Sequence, residues 1–342
     1  MKTFILNTLD EEKWRDFVEN HPDGNIFHTP EMFQVFSKVK GYKPEIWAAL
    51  GDKQQILVLF LPVHIFLLNG ILNRLTTRTN VFGGILMDHS PDAKKALIDL
   101  LKAYQQRSGK RSVFTEVRNM TSIDNYQPLL QDIGFAYEEQ LNYIIDLMPT
   151  PEEVFNRIGK RTRKNIRNGR NKELVTIKTV EDHAGVLESY ELLLKSYHNA
   201  QVPLSDLSLF TTAFDHLMPK GMIKIRTAMV EVSPAATSIE LFYKELIFGW
   251  YGGMDRSFSA FIPNDLLMAH ILESGSANGY RKYDFGGAGK SDKDYGVRDF
   301  KAKFGGDLVS YGRNTWIPHP SLFSLSNFGY EMIRNFNFFG LS

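Results

Sequence analysis

Residues 283–306 read YDFGGAGKSDKDYGVRDFKAKFGG. Tyr283, Asp284 and Phe285 have the pattern of a strand end. Gly286 and Gly287 then let backbone amides come close to a ligand with no side chain in the way. After a polar loop, Val297, Phe300 and Phe304 recur at helical spacing, so they can pack inward while Lys301, one position round, points elsewhere. A cation beside a glycine-lined pocket can stabilise an oxyanion or hold a phosphate. The competing reading is a glycine-rich turn closed by packed aromatics, with the lysine in water.

The segment resembles the C-terminal signature of the Fem family of aminoacyl transferases. There a strand ending in Tyr-Asp-aliphatic/aromatic-Gly-Gly precedes a variable loop and an aromatic-Phe-Lys turn. The matching positions here are Tyr283, Asp284, Phe285, Gly286, Gly287, Phe300 and Lys301. A weaker likeness runs upstream through GWYGGMD at residues 249–255 and the basic segment near Arg163. The resemblance implies an α/β (α+β) fold of two tandem GNAT-like (acyl-CoA N-acyltransferase-like) domains with mixed central sheets. It also implies transfer of an amino acid from aminoacyl-tRNA to the peptide stem of a nucleotide- or lipid-linked peptidoglycan precursor. On that basis Lys301 and Phe300 carry the transfer step, Tyr251 contacts the acceptor peptide, and Lys38 or Lys40 helps to hold the precursor. For Tyr251 the alternative is a sheet aromatic packed beside Trp250.

Composition agrees with an enzyme of this size. A chain of 342 residues exceeds what one core usually spans, so two domains are expected. The hydrophobic 43% and charged 23% are those of an ordinary globular protein rather than a disordered one. The absence of cysteine excludes disulfides, thiolate metal sites and a cysteine nucleophile. The nine histidines show no metal-ligand spacing, and no cofactor is called for. The start MKTFILNTLDEEKW lacks a basic leader joined to an apolar core, so a cytoplasmic protein is the expectation.

Residues 56–72, ILVLFLPVHIFLLNGIL, are greasy enough to suggest a membrane span. Pro62, His64 and the Asn69-Gly70 pair argue instead for buried strands near 45–50, 55–67 and 71–79. Peripheral contact with a lipid-linked substrate is a second reading of this run.

The formal charge is +1, yet eight basic residues and no acid lie between Arg157 and Lys172. The other 32 basic residues against 39 acidic ones leave −7 for the rest of the chain. Thr150, Pro151 and Glu153 form a helix start with a capping box. Val154, Ile158, Thr162 and Ile166 make an apolar stripe, so Lys160, Arg163, Lys164 and Arg167 lie on the other faces, and Asn168-Gly169 offers a stop. Such a run is either a solvated face or the footprint of tRNA or a diphosphate-linked ligand. With only Phe155 nearby, stacking of single-stranded bases is not indicated.

The chain repeats a hairpin, helix, strand plan. Residues 96–117 give a helix, a Ser-Gly-Lys-Arg turn and a strand, and residues 264–285 give the same series. A boundary fits the proline-marked stretch 148–151, giving domains 1–148, joined by 313–342 by analogy with Fem proteins, and 149–312. Tandem pseudo-symmetric domains often act within one chain, so a monomer is expected.

Several motifs fail on context. GGAGKS lacks the glycine and helix of a phosphate loop, Asp284-Phe285-Gly286 has no kinase catalytic loop beside it, and no GxSxG elbow occurs. Ordinary GNAT acetyltransferases open the helix after the central hairpin with Gln/Arg-x-x-Gly-x-Gly/Ala, whose amides cradle the coenzyme pyrophosphate. Here that place reads Phe261-Ile262-Pro263-Asn264-Asp265. The departure disfavours acyl-CoA. The alternatives carried forward are an N-acyltransferase of the same fold using acyl-CoA or an acyl carrier protein on an amino sugar or other small amine, and a nucleic-acid-binding module without catalysis. For aminoacyl transfer, Lys301 and backbone groups around Phe300 are expected to stabilise the tetrahedral state or the leaving ribose oxygen. No histidine or carboxylate stands out as a base, so the amine or the leaving hydroxyl shuttles the proton.

Overall fold

The computed structural model describes residues 3–66, 76–290 and 296–328. The chain divides into a unit of residues 1–139 with 311–342 and a unit of residues 140–310.

The first unit begins β1 (Phe4–Leu6), α1 (Glu11–Asn20), α2 (Pro30–Lys38), β2 (Tyr42–Pro44), β3 (Trp47–Leu50), β4 (Ile56–Phe60), β5 (Val63–Ile65), β6 (Arg78–Val81) and β7 (Leu86–Met87). It continues with α3 (Ala93–Arg107), β8 (Thr115–Arg118), α4 (Gln127–Asp132) and β9 (Ala136–Glu138). Two sheets result, ordered β1-β3-β4-β7 and β2-β5-β6-β8-β17-β9, where β17 is Arg313–Trp316. The greasy run is thus explained by burial. Pro62 separates β4 from β5, and the two strands enter different sheets with every residue buried. Among the described residues no helix is long and apolar enough to cross a membrane. The Asn69-Gly70 turn and residues 71–75 of the expected third strand lie outside the described residues. Leu97, Leu100, Leu101 and Tyr104 recur on one side of α3 and close the core against Trp47, Phe60 and Phe135.

The second unit contains β10 (Leu141–Asp146), α5 (Pro151–Arg157), α6 (Lys160–Lys172), β11 (Val175–Thr179), α7 (His183–Ala200) and α8 (Leu207–Leu217). Then follow β12 (Ile223–Val230), β13 (Ser233–Tyr243), β14 (Leu246–Met254), α9 (Pro263–Ala277), β15 (Lys282–Asp284), α10 (Gly296–Ala302) and β16 (Asp307–Ser310). Seven strands form one sheet in the order β11-β12-β13-β14-β15-β10-β16. Helix α9 with α5 and α6 packs on one side of it, and α7 with α8 on the other.

The division falls at residues 139 and 140, before the proline-marked stretch expected to hold it. The reason is strand pairing: β10 is hydrogen-bonded between β15 and β16, so LNYIIDL belongs to the second sheet. The repeated plan is visible in the pairing too. In each unit a long helix leads into a strand that lies parallel to an earlier one, β8 beside β6 and β15 beside β14.

The basic segment departs from expectation in two respects. The capping box forms, with Thr150 Oγ1 accepting from the Glu153 amide and Glu153 accepting from the Thr150 amide at 2.9 Å. The helix then breaks at Ile158 and Gly159, because the Gly159 amide donates to the Lys303 carbonyl at 2.8 Å instead of continuing the helical series. A second helix runs past Asn168-Gly169 to Lys172 and ends on Glu173 in the left-handed region. The break preserves the stripe: Val154, Ile158, Thr162 and Ile166 are all buried.

Candidate functional site

Strands β14 and β15 pair in parallel only from Leu246↔Lys282 to Phe248↔Asp284. Beyond that point β14 continues to Met254 with a bulge at Trp250, while the other chain turns away at Gly286. Two neighbouring parallel strands that part in this way open a crevice at their carboxyl ends, a recurrent place for a ligand. Gly286 (φ +74°) backs directly onto β14, and a Cβ there would lie 2.8 Å from the Gly249 carbonyl oxygen. At Gly287 (φ +124°) a Cβ would meet nothing nearer than Gln140 Nε2 at 4.0 Å. Gly286 is therefore required by packing and backbone, Gly287 by backbone alone. Gly286→Ala should destabilise the chain by about 1–3 kcal/mol, and Gly287→Ala by less, since only strain acts there. Thermal melts of the two variants check the order.

Polar groups fasten this turn from two directions. The Asp284 carboxyl is buried, and Oδ1 accepts from Asn142 Nδ2 at 2.6 Å and from the Gly286 amide at 2.7 Å. Asn142 Oδ1 in turn accepts from the Gly287 amide at 2.9 Å. Burial pushes the Asp284 carboxyl above the usual carboxylate range, opposed by those bonds and by the Lys301 charge. From α10, Lys301 Nζ donates to the Phe285 carbonyl at 2.6 Å and to the Gly287 carbonyl. It also stands 5.5 Å from the Phe285 ring centroid. Desolvation lowers its pKa from 10.5 to about 8, and the Asp284 charge opposes the shift. One helical turn earlier, Arg298 Nε donates to the Ala288 carbonyl at 2.9 Å, and its Nη2 donates to that of Lys290. The short helix thus presents two cations to the carbonyls of residues 285–290. An ammonium has three donors. Two of them are spent on carbonyls of the described residues.

Phe300 lies half-buried, its ring 5.2 Å from that of Phe304 and with Lys303 Nζ 5.1 Å above it. Tyr251 is set among aromatic rings, 4.8 Å from Phe210 and 5.2 Å from Trp250, with its hydroxyl 3.0 Å from Ser205 Oγ. Lys38 and Lys40 are exposed in the first unit around the end of α2.

On α6, Arg163 donates to the Asn156 and Ile158 carbonyls and so closes the end of α5. Arg167 and Arg170 lie 5.5 and 5.0 Å from the Phe155 ring centroid, and Arg170 pairs with Glu273. Lys160 and Lys164 are exposed and form no ion pair among the described residues. Asp265, in the first turn of α9, is held 3.6 Å from Lys303 and has its pKa raised by burial. That turn begins at Pro263 after Ile262 in the left-handed region, without a side-chain cap and without glycine.

Two residues of the site escape sequence reasoning. Arg298 stands three positions before Lys301 on the same helix, so its helical spacing carries a signal. Asn142 is separated from Asp284 by 142 residues and carries none. Residues 291–295 of the quoted loop lie outside the described residues.

Residues 157–301 match the family model of the acetyltransferase (GNAT) domain. Among solved structures the fold is similar to that of FemX, with 17% identity, a TM-score of 0.71, and coverage of 95% of this chain and 99% of that one. It is also similar to L-PGS from Bacillus licheniformis (14% identity, TM-score 0.58, 93% and 96% covered). A third similar structure is a tandem GNAT protein from the clavulanic acid biosynthesis pathway (10% identity, TM-score 0.59, 93% and 99% covered). No curated protein sequence matches the chain. At such identities the likeness establishes the fold: mixed α/β, with two GNAT-like units in tandem.

Proposed function

We propose that this tandem GNAT-type chain, which shares the fold of FemX, is an aminoacyltransferase. It moves an amino acid from aminoacyl-tRNA to an amine on the peptide stem of a peptidoglycan precursor, forming a peptide bond and releasing the tRNA hydroxyl. The observation that carries this reading is the Lys301 ammonium, desolvated and fixed on two carbonyls where β14 and β15 separate. Attack of a neutral amine on an ester places negative charge first on the carbonyl oxygen and then on the leaving ribose oxygen. A donor already oriented in a low-dielectric setting stabilises that charge without reorganising. Gly287 leaves open space beside it for the ester, and Phe300, on the lysine's own helix, packs against Phe304.

The α9 turn supports an aminoacyl donor over acyl-CoA. A pyrophosphate needs several free amides at a helix N-terminus. Here Pro263 has no amide, and the half-buried Asp265 adds negative charge. The N-acyltransferase reading therefore stands second. Incubating the chain with a set of charged tRNAs and a pentapeptide precursor, and in parallel with acetyl-CoA, tests the choice by product mass. A precursor heavier by one aminoacyl residue supports the proposal. An acetylated product alone overturns it.

The tRNA would lie along α6 through Lys160 and Lys164, whereas Arg163 and Arg167 are occupied in holding the helix junction and Phe155. Lys160→Glu with Lys164→Glu should therefore weaken tRNA binding about tenfold and flatten its salt dependence by roughly one unit per phosphate no longer neutralised. Binding measured across a salt series checks this. Unaltered affinity and slope would make the patch a solvated face.

A further inference from the structure

The first unit holds a second built site, remote in sequence from the Lys301 turn and independent of the transfer reading. It is an open cleft of about 350 Å³ where β2, β3 and the end of α3 meet. Glu45 lines it. One carboxylate oxygen, Oε2, is fully engaged, accepting from Trp47 Nε1 at 2.9 Å and from Ser108 Oγ at 2.7 Å. A buried relay stands behind it: His64 Nε2 contacts Ser108 Oγ at 3.1 Å, and His64 Nδ1 contacts Thr79 Oγ1 at 2.8 Å and Ser112 Oγ at 3.1 Å. His64, Thr79, Ser108 and Ser112 are each at most 3% exposed, so the carboxylate is fixed by a network that cannot relax into solvent.

The other oxygen, Oε1, is different. Its nearest basic groups are His64 Nε2 at 3.4 Å, a long hydrogen bond, and Arg111 Nη1 at 3.7 Å, a loose ion pair. The Arg111 side chain is 64% exposed, and its ion pair with that oxygen is a long one. Arg107 lines the same cleft at the last residue of α3. Phe33, Pro44 and Ile46 supply an apolar wall.

We propose that this cleft binds a free α-amino acid with a small apolar side chain, its ammonium on Glu45 Oε1 and its carboxylate on Arg111 and Arg107. An α-amino acid carries opposite charges one carbon apart, matching a carboxylate and a guanidinium that face the same space in only a loose 3.7 Å contact. A simple anion is disfavoured, since the hydrogen bonds from His64, Ser108 and Trp47 hold the Glu45 pKa at about 2 against burial and the group stays ionised. A metal ion is disfavoured by two flanking arginines around a single carboxylate. The ligand's charges satisfy both, and charged hydrogen bonds of this kind are the strong ones. The cleft falls within the size range of small-ligand sites.

Calorimetric titration of the full chain with each proteinogenic amino acid tests the site. Saturable binding is expected for a small apolar member such as alanine or valine. The matching N-acetyl derivative and carboxamide should each bind at least about tenfold more weakly, because each lacks one charged partner. Arg111→Met, at an exposed position, should weaken binding similarly with an unchanged melting temperature, and Glu45→Gln should do so with its folding checked by melting. The proposal is overturned if no amino acid binds saturably, if the blocked derivatives bind as well as the free one, or if Arg111→Met leaves the affinity unchanged. Competition by inorganic phosphate at equal affinity would overturn it in favour of an anion site.

Discussion

Lys301→Met is expected to lower the rate of transfer by ~10²-fold or more, the range found when one oriented oxyanion donor is removed. The loss should appear in turnover at saturating substrates more than in KM, because the donor acts on charge that develops during reaction. Methionine keeps the aliphatic stem over Phe285 and removes only the ammonium. The Phe285 and Gly287 carbonyls then lose a charged donor, which costs about 1–3 kcal/mol of stability through the turn. Single-turnover assays paired with thermal melts separate the two effects. A variant that melts slightly lower yet transfers at the normal rate would remove Lys301 from the chemistry.

The largest effect on stability is expected at Arg226. Its guanidinium donates to Glu240 Oε2 at 2.9 Å, and Ser238 Oγ donates to the other carboxylate oxygen. Both ends of the pair are buried, with Glu240 at 0% exposure. Arg226→Met leaves a buried carboxylate without the cation hydrogen-bonded to it, a change that costs about 3–5 kcal/mol. The double variant Arg226→Met/Glu240→Met should regain most of that, since no buried charge remains. The pH dependence follows from the direction of the Glu240 shift. Burial raises its pKa above the unfolded value, so the penalty is fully present above the folded pKa, fades as pH falls through that pKa, and is gone below the ordinary carboxylate range. The single variant should therefore lose least at low pH. Chemical denaturation at two pH values measures both predictions.

Local signals in the sequence locate the features that depend on neighbours in the chain. The capping box at Thr150, the stripe from Val154 to Ile166 and the glycines after Phe285 are each set by residues within a turn or two, and each occurs where expected. The helix break at Gly159 is not legible, because its cause is a carbonyl at Lys303, far along the chain. The same holds for β10, whose sheet is decided by partners in β15 and β16. At the site, the turn and Lys301 are readable, but the fastening of that turn by Asn142 is not. The Glu45 network escapes as well: its members come from β5, β6 and both ends of a short Ser-Gly-Lys-Arg-Ser turn, and only folding assembles them. Arg163 shows the converse case. Its basic character suggests an anionic ligand, while its geometry shows a cap on the preceding helix.

The central claim is that a protonated Lys301 faces the reacting ester, and the most direct test is the pH dependence of single-turnover transfer from aminoacyl-tRNA to the precursor peptide. A group whose folded pKa is about 8 is charged below that value and neutral above it. The rate should therefore fall through an alkaline limb centred near pH 8, and the limb should be absent from the residual rate of Lys301→Met. A rate that climbs steadily through that region in the unaltered chain, with the same profile in the variant, would contradict the account.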